Sequence, residues 1–195
     1  MNKTIKFILS ILLELLSLFQ YTYVAVCTHR IVILGSSSVP EWGLRKYSSR
    51  EGIFFFYSLL LMILSVLVLS TSQFSQNFWV MIIPWIFIAY ISIRFSLIFP
   101  ACAIDQHISL KQSWEYTKNK FVFMVMATLI WPILFAIPIV LVMFGITLIG
   151  GTIIPLIGMF AGSLFGVLLA IALIASLSLA YVRIVDNNKA ETTSQ

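Results

Sequence analysis

Charged side chains are scarce in this sequence, and their scarcity decides the class of protein. Of 195 residues, 10% are charged and 61% are apolar, whereas soluble domains average about 25% charged and 45–50% apolar residues. A water-exposed globule and a disordered chain are therefore excluded. At about 20 apolar residues per span, the chain accommodates roughly four to six membrane helices. Little length remains for a soluble catalytic domain.

Catalytic and metal-binding signatures are also missing. The sequence has no nucleophile elbow, no HExxH and no phosphate-binding glycine loop, so we expect neither an enzyme nor a cofactor. Two cysteines far apart in sequence favour thiols over a disulfide. The spacings Cys-x-His and Asp-x-His match no strong zinc motif, and we interpret these residues as an interfacial cluster in preference to a metal site. They are Cys27, His29, Cys102, Asp105 and His107.

Long runs without charge predict an all-α, polytopic membrane protein with five transmembrane helices in a single integral membrane domain, residues 1–195. One run, 52–93, is interrupted by the polar stretch 73–77, and another, 121–182, by Gly150, Gly151 and Pro155. A cleavable signal peptide is the minor alternative for the first segment, which lacks a small-residue cleavage site. The predicted spans are 7–27, 53–70, 78–98, 121–144 and 155–182.

Basic residues are distributed unevenly between the connections. Nine Lys and Arg lie in 28–52, 99–120 and the tail, against only Lys3 and Lys6 on the other side. The positive-inside rule therefore predicts an outside N-terminus and a cytoplasmic C-terminus. Because the basic residues are few, dispersed and next to the membrane, they fit anionic lipid headgroups better than nucleic acid.

Two of these connections share a sequence pattern. It predicts an amphipathic segment that lies in the cytoplasmic interface, here called an elbow, at about 38–50 and at about 109–120. Ser38-x-x-Glu41 and Ser109-x-x-Gln112 have capping-box spacing, and a tryptophan follows each. Ser48-x-x-Glu51 has the same spacing at the start of the second span. The residues predicted to contact lipid headgroups are Trp42, Arg45, Lys46, Arg50, Arg94, Lys111, Trp114, Lys118 and Lys120.

Four segments between 29 and 118 carry a family resemblance. They read HRIVILG at 29–35, WGLR at 42–45 followed by Arg50-Glu51, RFSLIFPA at 94–101, and SLxxSWxxTK at 109–118. About half of the chain thus resembles a family of bacterial inner-membrane proteins, similar to the membrane domain fused to some glycerophosphodiester phosphodiesterases. The resemblance implies six helices, of which an N-terminal amphipathic segment and one span are expected to be missing here, and it carries no catalytic residues. It places the protein in the bacterial inner (plasma) membrane.

Two charged residues fall inside predicted spans. Glu14 lies well within the first span and Arg94 lies near the inner end of the third. Their levels differ by roughly 14 Å at 1.5 Å per residue, which is too far for direct pairing. We expect Arg94 to reach headgroup phosphates or to cap carbonyls, and Glu14 to be an intramembrane acid hydrogen-bonded to neighbouring helices, with a proton or substrate relay as the alternative.

Small residues and prolines shape the last two spans. Gly158, Gly162, Gly166 and Ala170 repeat every four residues, which predicts a face for close helix packing, within the chain in preference to a homo-oligomer. Pro132 and Pro138 predict a kinked fourth span.

These features favour a non-enzymatic envelope or scaffold protein that interacts with membrane lipids or a membrane partner. The first alternative is a small transporter or channel that uses Glu14, Arg94 and the kinked span. The second is a regulatory subunit of a membrane complex.

Overall fold

The computed structural model of the chain describes residues 3–40, 47–70, 77–149 and 154–193. All regular structure in these ranges is helical, which confirms the all-α prediction. The helices are α1 (Lys3–Leu34), α2 (Ser49–Ser70), α3 (Phe78–Phe95), α4 (Ile98–Ala103), α5 (Leu110–Lys118), α6 (Phe121–Val125), α7 (Trp131–Ile149) and α8 (Ile154–Thr193), with a 3₁₀ turn at Ser36–Ser38 and a π-helical turn at Met126–Ile130.

Five helical segments in the described ranges are long and apolar enough to cross a membrane, and these confirm the five-span, multi-pass prediction. They are Lys3–Leu34, Ser49–Ser70, Ile82–Ala103, Phe121–Val142 and Gly162–Val185. The first helix is longer than predicted, because it continues past Cys27 to Leu34. The last helix likewise continues past Val182 to Thr193.

The end of α1 is set by a glycine. Gly35 has a φ of +92°, a conformation that L side chains rarely adopt, and its backbone N–H donates to the Ile31 carbonyl at 3.0 Å. His29 and Arg30 therefore lie on the helix and not in the connection, where the sequence had suggested them.

The third span bends between α3 and α4. Pro100 lacks an N–H, and its ring crowds the carbonyl of Ser96 four residues earlier. Phe99 donates to the Ser96 carbonyl instead, at 3.3 Å, and the Ser96 hydroxyl donates to the Ile93 carbonyl at 2.8 Å. The Phe99 N–H thus satisfies the Ser96 carbonyl, which the proline leaves without a donor.

The predicted elbow at 109–120 contains a short helix, α5. Its capping box is confirmed, since the Ser109 hydroxyl accepts from the Gln112 N–H and the Gln112 side chain accepts from the Ser109 N–H. Lys111, Glu115 and Lys118 are exposed. The predicted capping box at Ser38 extends to Glu41, which lies outside the described residues.

The fourth span contains a π-helical turn that precedes Pro132. The Trp131 N–H donates to the Met126 carbonyl five residues back. In the same pattern, the N–H of residue 132 would donate to the Ala127 carbonyl, but Pro132 has no N–H. The Ala127 carbonyl therefore receives no hydrogen bond from that position of its own helix. The Ser176 hydroxyl of α8 supplies one, at 3.0 Å. Where the sequence predicted a kink at Pro132, the structure has a π turn, and this turn is hydrogen-bonded to α8.

Among the described side chains, full burial is confined to one half of the bundle. In the described ranges α1 packs against α2 and α8, α2 against α3, and α7 against α8, while α4 contacts α1, α2 and α8. The buried side chains all lie at 22–29 of α1, 51–54 of α2, 93–103, 113–132 and 174–185. We call this half the packed end. The opposite half, the open end, exposes large apolar side chains, among them Leu12, Val66, Trp85, Leu141 and Leu168.

Candidate functional site

A salt-bridge cluster joins three elements at the packed end. Asp105, just after α4, forms ion pairs with Arg50 Nη1 at 2.8 Å and with Arg30 Nη1 at 3.3 Å. Arg30 also donates to the Ala103 carbonyl at 3.0 Å. Asp105 has a φ of +61°, a left-handed conformation that closes α4 and that aspartate tolerates better than most residues. The cluster holds the start of α2 and the end of α1 against α4.

Glu51 adds a second carboxylate to this cluster. Its side chain is buried and accepts from the Ser48 N–H at 2.8 Å and from the Ser48 hydroxyl. The glutamate half of the predicted Ser48 cap is thus formed. Partial burial, and to a lesser degree the Glu51 carboxylate, raises the pKa of Tyr47 above its usual value.

Arg94, which was expected to reach headgroup phosphates or to cap carbonyls near Pro100, is enclosed by the protein, and its Nη1 donates to the Trp114 carbonyl at 3.5 Å. Its guanidinium lies 4.8 Å from the centre of the Trp114 ring and 5.3 Å from that of Phe121. It donates to the Tyr90 hydroxyl at 3.1 Å and to the Thr117 hydroxyl at 3.3 Å. Only 8% of the residue is exposed. Arg94 is enclosed because three aromatic rings and a hydroxyl satisfy its charge and its donors within the protein.

The other predicted headgroup residues divide into two groups. Lys111 and Lys118 project from α5 with exposed side chains, and so does Arg183 of α8, which was not singled out. Arg50 is 14% exposed and is held by Asp105 and Glu51. Lys120 has a buried Nζ that makes no hydrogen bond to the described residues, and Trp114 is half-buried beside Arg94. Trp42, Arg45 and Lys46 lie outside the described residues.

Glu14 is exposed on the outer surface of α1, in the open end. It was expected to bond to neighbouring helices, but it forms no hydrogen bond or ion pair with the part of the chain that the structure describes. The reason is geometric, since the bundle is not packed at this level. Glu14 and Arg94 lie at opposite ends of the bundle.

The glycine face of α8 also lies largely in the open end. Gly166 is exposed, and a Cβ added there would meet no atom within 4 Å, so no described helix packs closely on it. Ala170 lines a groove that is described below. Gly162 is half-buried, and the surroundings of Gly158 lie outside the described side chains.

A pocket of about 290 Å³, here called the inner cavity, is lined by residues of all five spans and opens to the surface of the bundle. Four of its lining residues carry hydroxyls, namely Tyr21, Ser92, Ser96 and Thr128. Ser96 and Thr128 donate to carbonyls of their own helices. Tyr21 and Ser92 form no hydrogen bond with any described residue. Sequence reasoning missed this cavity because the spacing of four hydroxyls on three different spans reveals no common centre.

A lateral groove of about 750 Å³ runs between α1 and α8 and opens to the side of the bundle. It shares Tyr21 and Ile174 with the inner cavity. Tyr47 borders it and stacks on Phe19, with ring centres 5.2 Å apart. The groove and the cavity are therefore adjoining spaces that meet at two side chains.

The potential metal ligands do not converge. Among the residues that the structure describes, no three His, Cys, Asp or Glu side chains lie close enough to hold a metal ion. His29 is buried, and its Nδ1 lies 2.7 Å from the Ser178 hydroxyl on α8. Both cysteines remain thiols.

No family model, no curated protein and no solved structure matches this chain.

Proposed function

We propose that this chain is a non-enzymatic integral membrane protein whose packed end binds anionic lipid headgroups. The observation that carries the proposal is the collection of the basic connections at one end of the bundle. Asp105 joins Arg30 and Arg50, and the Tyr181 hydroxyl donates to Gln106 at 2.8 Å, so the two long connections and α8 meet there.

Charge on this surface comes from exposed side chains that form no ion pair with the described residues. Lys111, Lys118 and Arg183 are exposed, whereas Arg30, Arg50 and Arg94 have partners within the chain. Each cation near an anionic lipid surface contributes about 1 kcal/mol to binding. The positive-inside bias and the resemblance to bacterial inner-membrane proteins support a position of this end in the cytoplasmic leaflet of an inner membrane, with the N-terminus outside.

The transporter alternative receives less support from the geometry. It relied on Glu14 and Arg94, and neither residue is among those lining the inner cavity. The kinked span is hydrogen-bonded to α8 at Ser176. A regulatory subunit would share the same lipid-facing surfaces, and co-purification of a stoichiometric partner in mild detergent would identify it.

The test is a lipid titration of the delipidated protein, followed by native mass spectrometry. We expect tighter binding of phosphatidylglycerol than of phosphatidylcholine. At about 1 kcal/mol per cation, Lys111→Glu with Lys118→Glu reduces that preference by about tenfold or more. Lys111→Arg with Lys118→Arg keeps the charge and the preference.

The matched control reverses two charges at the open end. Lys3→Glu with Lys6→Glu changes the net charge by the same amount, and we expect it to leave most of the preference intact. An equal loss in both double variants would contradict a headgroup site at the packed end.

A further inference from the structure

We infer that Arg30 and Arg50 form a binding site for a phosphate group, which takes the place of the Asp105 carboxylate between them. The inference deepens the proposed function, on which it rests for the class of ligand. It concerns two arginines that are largely buried in the packed end, and it uses none of the exposed cations on which that proposal depends.

The two guanidiniums carry donors that the described part of the chain leaves unused. Arg30 donates from Nη1 alone, to the Ala103 carbonyl at 3.0 Å and to Asp105 at 3.3 Å. Arg50 donates from Nε alone, to the Ser48 hydroxyl at 3.0 Å. Arg30 Nε and Arg50 Nη1 are buried and make no hydrogen bond to any described residue. Because buried donors in native proteins almost always have an acceptor, these two nitrogens indicate an acceptor from outside the chain.

Asp105 supplies charge to both arginines but few hydrogen bonds. Its Oδ2 atom alone serves both of them, at 2.8 Å from Arg50 Nη1 and 3.3 Å from Arg30 Nη1. Arg50 Nη1 is close to this oxygen but is not aligned to donate to it. A phosphate group presents several oxygens in different directions, and each planar guanidinium can donate two parallel N–H bonds to it. The donors of this cluster therefore suit a phosphate better than they suit the carboxylate.

Asp105 can leave the cluster at little cost, whereas the arginines are fixed on α1 and α2. Its side chain is 56% exposed, against 13% for Arg30 and 14% for Arg50. It also lies in the connection after α4, where rotation of the side chain places the carboxylate in water and keeps its charge hydrated. The phosphodiester of a lipid carries one negative charge, as the carboxylate does, so the exchange leaves the charge within the cluster unchanged.

The height of the cluster in the bundle favours a lipid as the source of the phosphate. Arg30 is near the end of α1, Arg50 is in the first turn of α2, and Asp105 follows α4 directly after its last turn. The ends of membrane spans lie where the hydrocarbon gives way to headgroups. A lipid beside these helix ends therefore brings its phosphate to the level of the two guanidiniums.

Removal of the Asp105 charge tests whether a phosphate competes with it. The delipidated full-length protein is titrated with short-chain phosphatidylglycerol in detergent, and bound lipid is counted by native mass spectrometry. The amide of Asp105→Asn no longer neutralises the arginines, so we expect the first lipid to bind about tenfold more tightly. Glu115→Gln is the matched control, because Glu115 is an exposed carboxylate on α5 at the same end, and we expect a gain of about twofold or less. Equal gains in the two variants, or no gain in Asp105→Asn, would overturn the inference.

Replacement of one arginine tests the requirement for a planar fork. In the Asp105→Asn background, Arg50→Lys keeps the charge but loses the fork, and we expect about tenfold weaker binding. Arg50→Lys also removes contacts within the protein, so thermal unfolding is followed with and without lipid. A purely structural role lowers both temperatures equally, whereas loss of the site reduces the rise that lipid produces. A rise equal to that of the Asp105→Asn parent would overturn the site.

Two further ligands identify the source of the phosphate. Dioctanoylglycerol has the chains without the phosphate, and we expect Asp105→Asn to bind it no more tightly than the unchanged protein does. A gain for dioctanoylglycerol would overturn the inference. Inorganic phosphate at matched ionic strength is expected to bind more weakly than the lipid. Saturable binding of inorganic phosphate as tight as that of the lipid would support the phosphate site and assign it to a free anion.

The same measurement separates this site from the headgroup surface. We expect the gain from Asp105→Asn to persist in the Lys111→Glu, Lys118→Glu background, because the two lysines lie outside the cluster. Failure of the headgroup proposal appears as an unchanged lipid preference after the lysine reversals. Failure of the phosphate site appears as a missing gain in Asp105→Asn, so the two failures give different results.

Discussion

The packed and open ends of this bundle both belong to long apolar helices, yet the fully buried side chains among the described residues lie only in the packed end. Buried positions in the packed end are rich in small and hydroxyl-bearing residues. They include Ala25, Ala101, Ala127, Ser113 and Thr117. The open end presents leucine, isoleucine, valine and aromatic side chains to its surroundings. Lipid tails are as apolar as leucine, so bulky aliphatic residues gain little by leaving lipid for another helix.

Close approach and hydrogen bonds therefore determine where these helices associate. Small side chains allow the backbones to come together, and polar groups then bond across the contact. Ser113 donates to the Arg94 carbonyl at 2.8 Å, and Ser176 donates to the Ala127 carbonyl at 3.0 Å. The open end has comparable small residues at Gly166 and Ala170, but no described helix covers Gly166.

The largest difference in stability between the two ends is expected when one leucine at each end is replaced by alanine. Leu97 is fully buried in the packed end, and Leu134 is 51% exposed in the open end. Leu97→Ala leaves a cavity and lowers the free energy of unfolding by about 2–4 kcal/mol, whereas Leu134→Ala changes it by less than about 0.5 kcal/mol. Thermal unfolding in detergent measures both. Equal destabilisation would contradict a packed core limited to one end.

Arg94 gives the next largest effect, because its contacts join α5 to α3. Arg94→Leu leaves the Tyr90 and Thr117 hydroxyls without their guanidinium partner, and we expect a loss of about 2–3 kcal/mol. Arg183→Leu is the control, since Arg183 is an exposed cation above the Phe123 ring at 5.4 Å. If the two variants unfold at the same temperature, the Arg94 contacts do not stabilise the packed end.

The smallest effect is expected at the π turn. Ser176→Ala leaves the Ala127 carbonyl unpaired and reduces stability by about 1 kcal/mol. In a Pro132→Ala background the new N–H can bond to that carbonyl, so the additional cost of Ser176→Ala disappears. A double-mutant cycle measures this coupling, and strictly additive effects would show that Ser176 does not compensate for the proline.

Much of the fold could be predicted because it follows from local rules. Charge-free runs predict the five spans, and the capping spacing predicts the start of α5 at Ser109. Helix ends were harder, since α1 continues through polar residues until Gly35 ends it. The contacts of Arg94 were not predicted, because its partners Trp114 and Phe121 are 20 or more residues away in sequence. No local pattern shows that the segment containing them packs against α3.

The candidate site was predicted only in part. Exposure of Lys111 and Lys118 follows from their positions on an amphipathic helix. The groove depends on the separation between α1 and α8, which no local pattern encodes. The glycine repeat of α8 suggested close contact, but no described helix covers Gly166.

Cysteine labelling in sealed membrane vesicles tests most directly whether the basic connections share one face of the membrane. In a Cys27→Ala, Cys102→Ala background, single Ser37→Cys, Lys111→Cys and Lys6→Cys variants are treated with a membrane-impermeant maleimide. The account predicts that positions 37 and 111 react in inside-out vesicles only, and position 6 in right-side-out vesicles only. Labelling of positions 37 and 111 from opposite faces would contradict it.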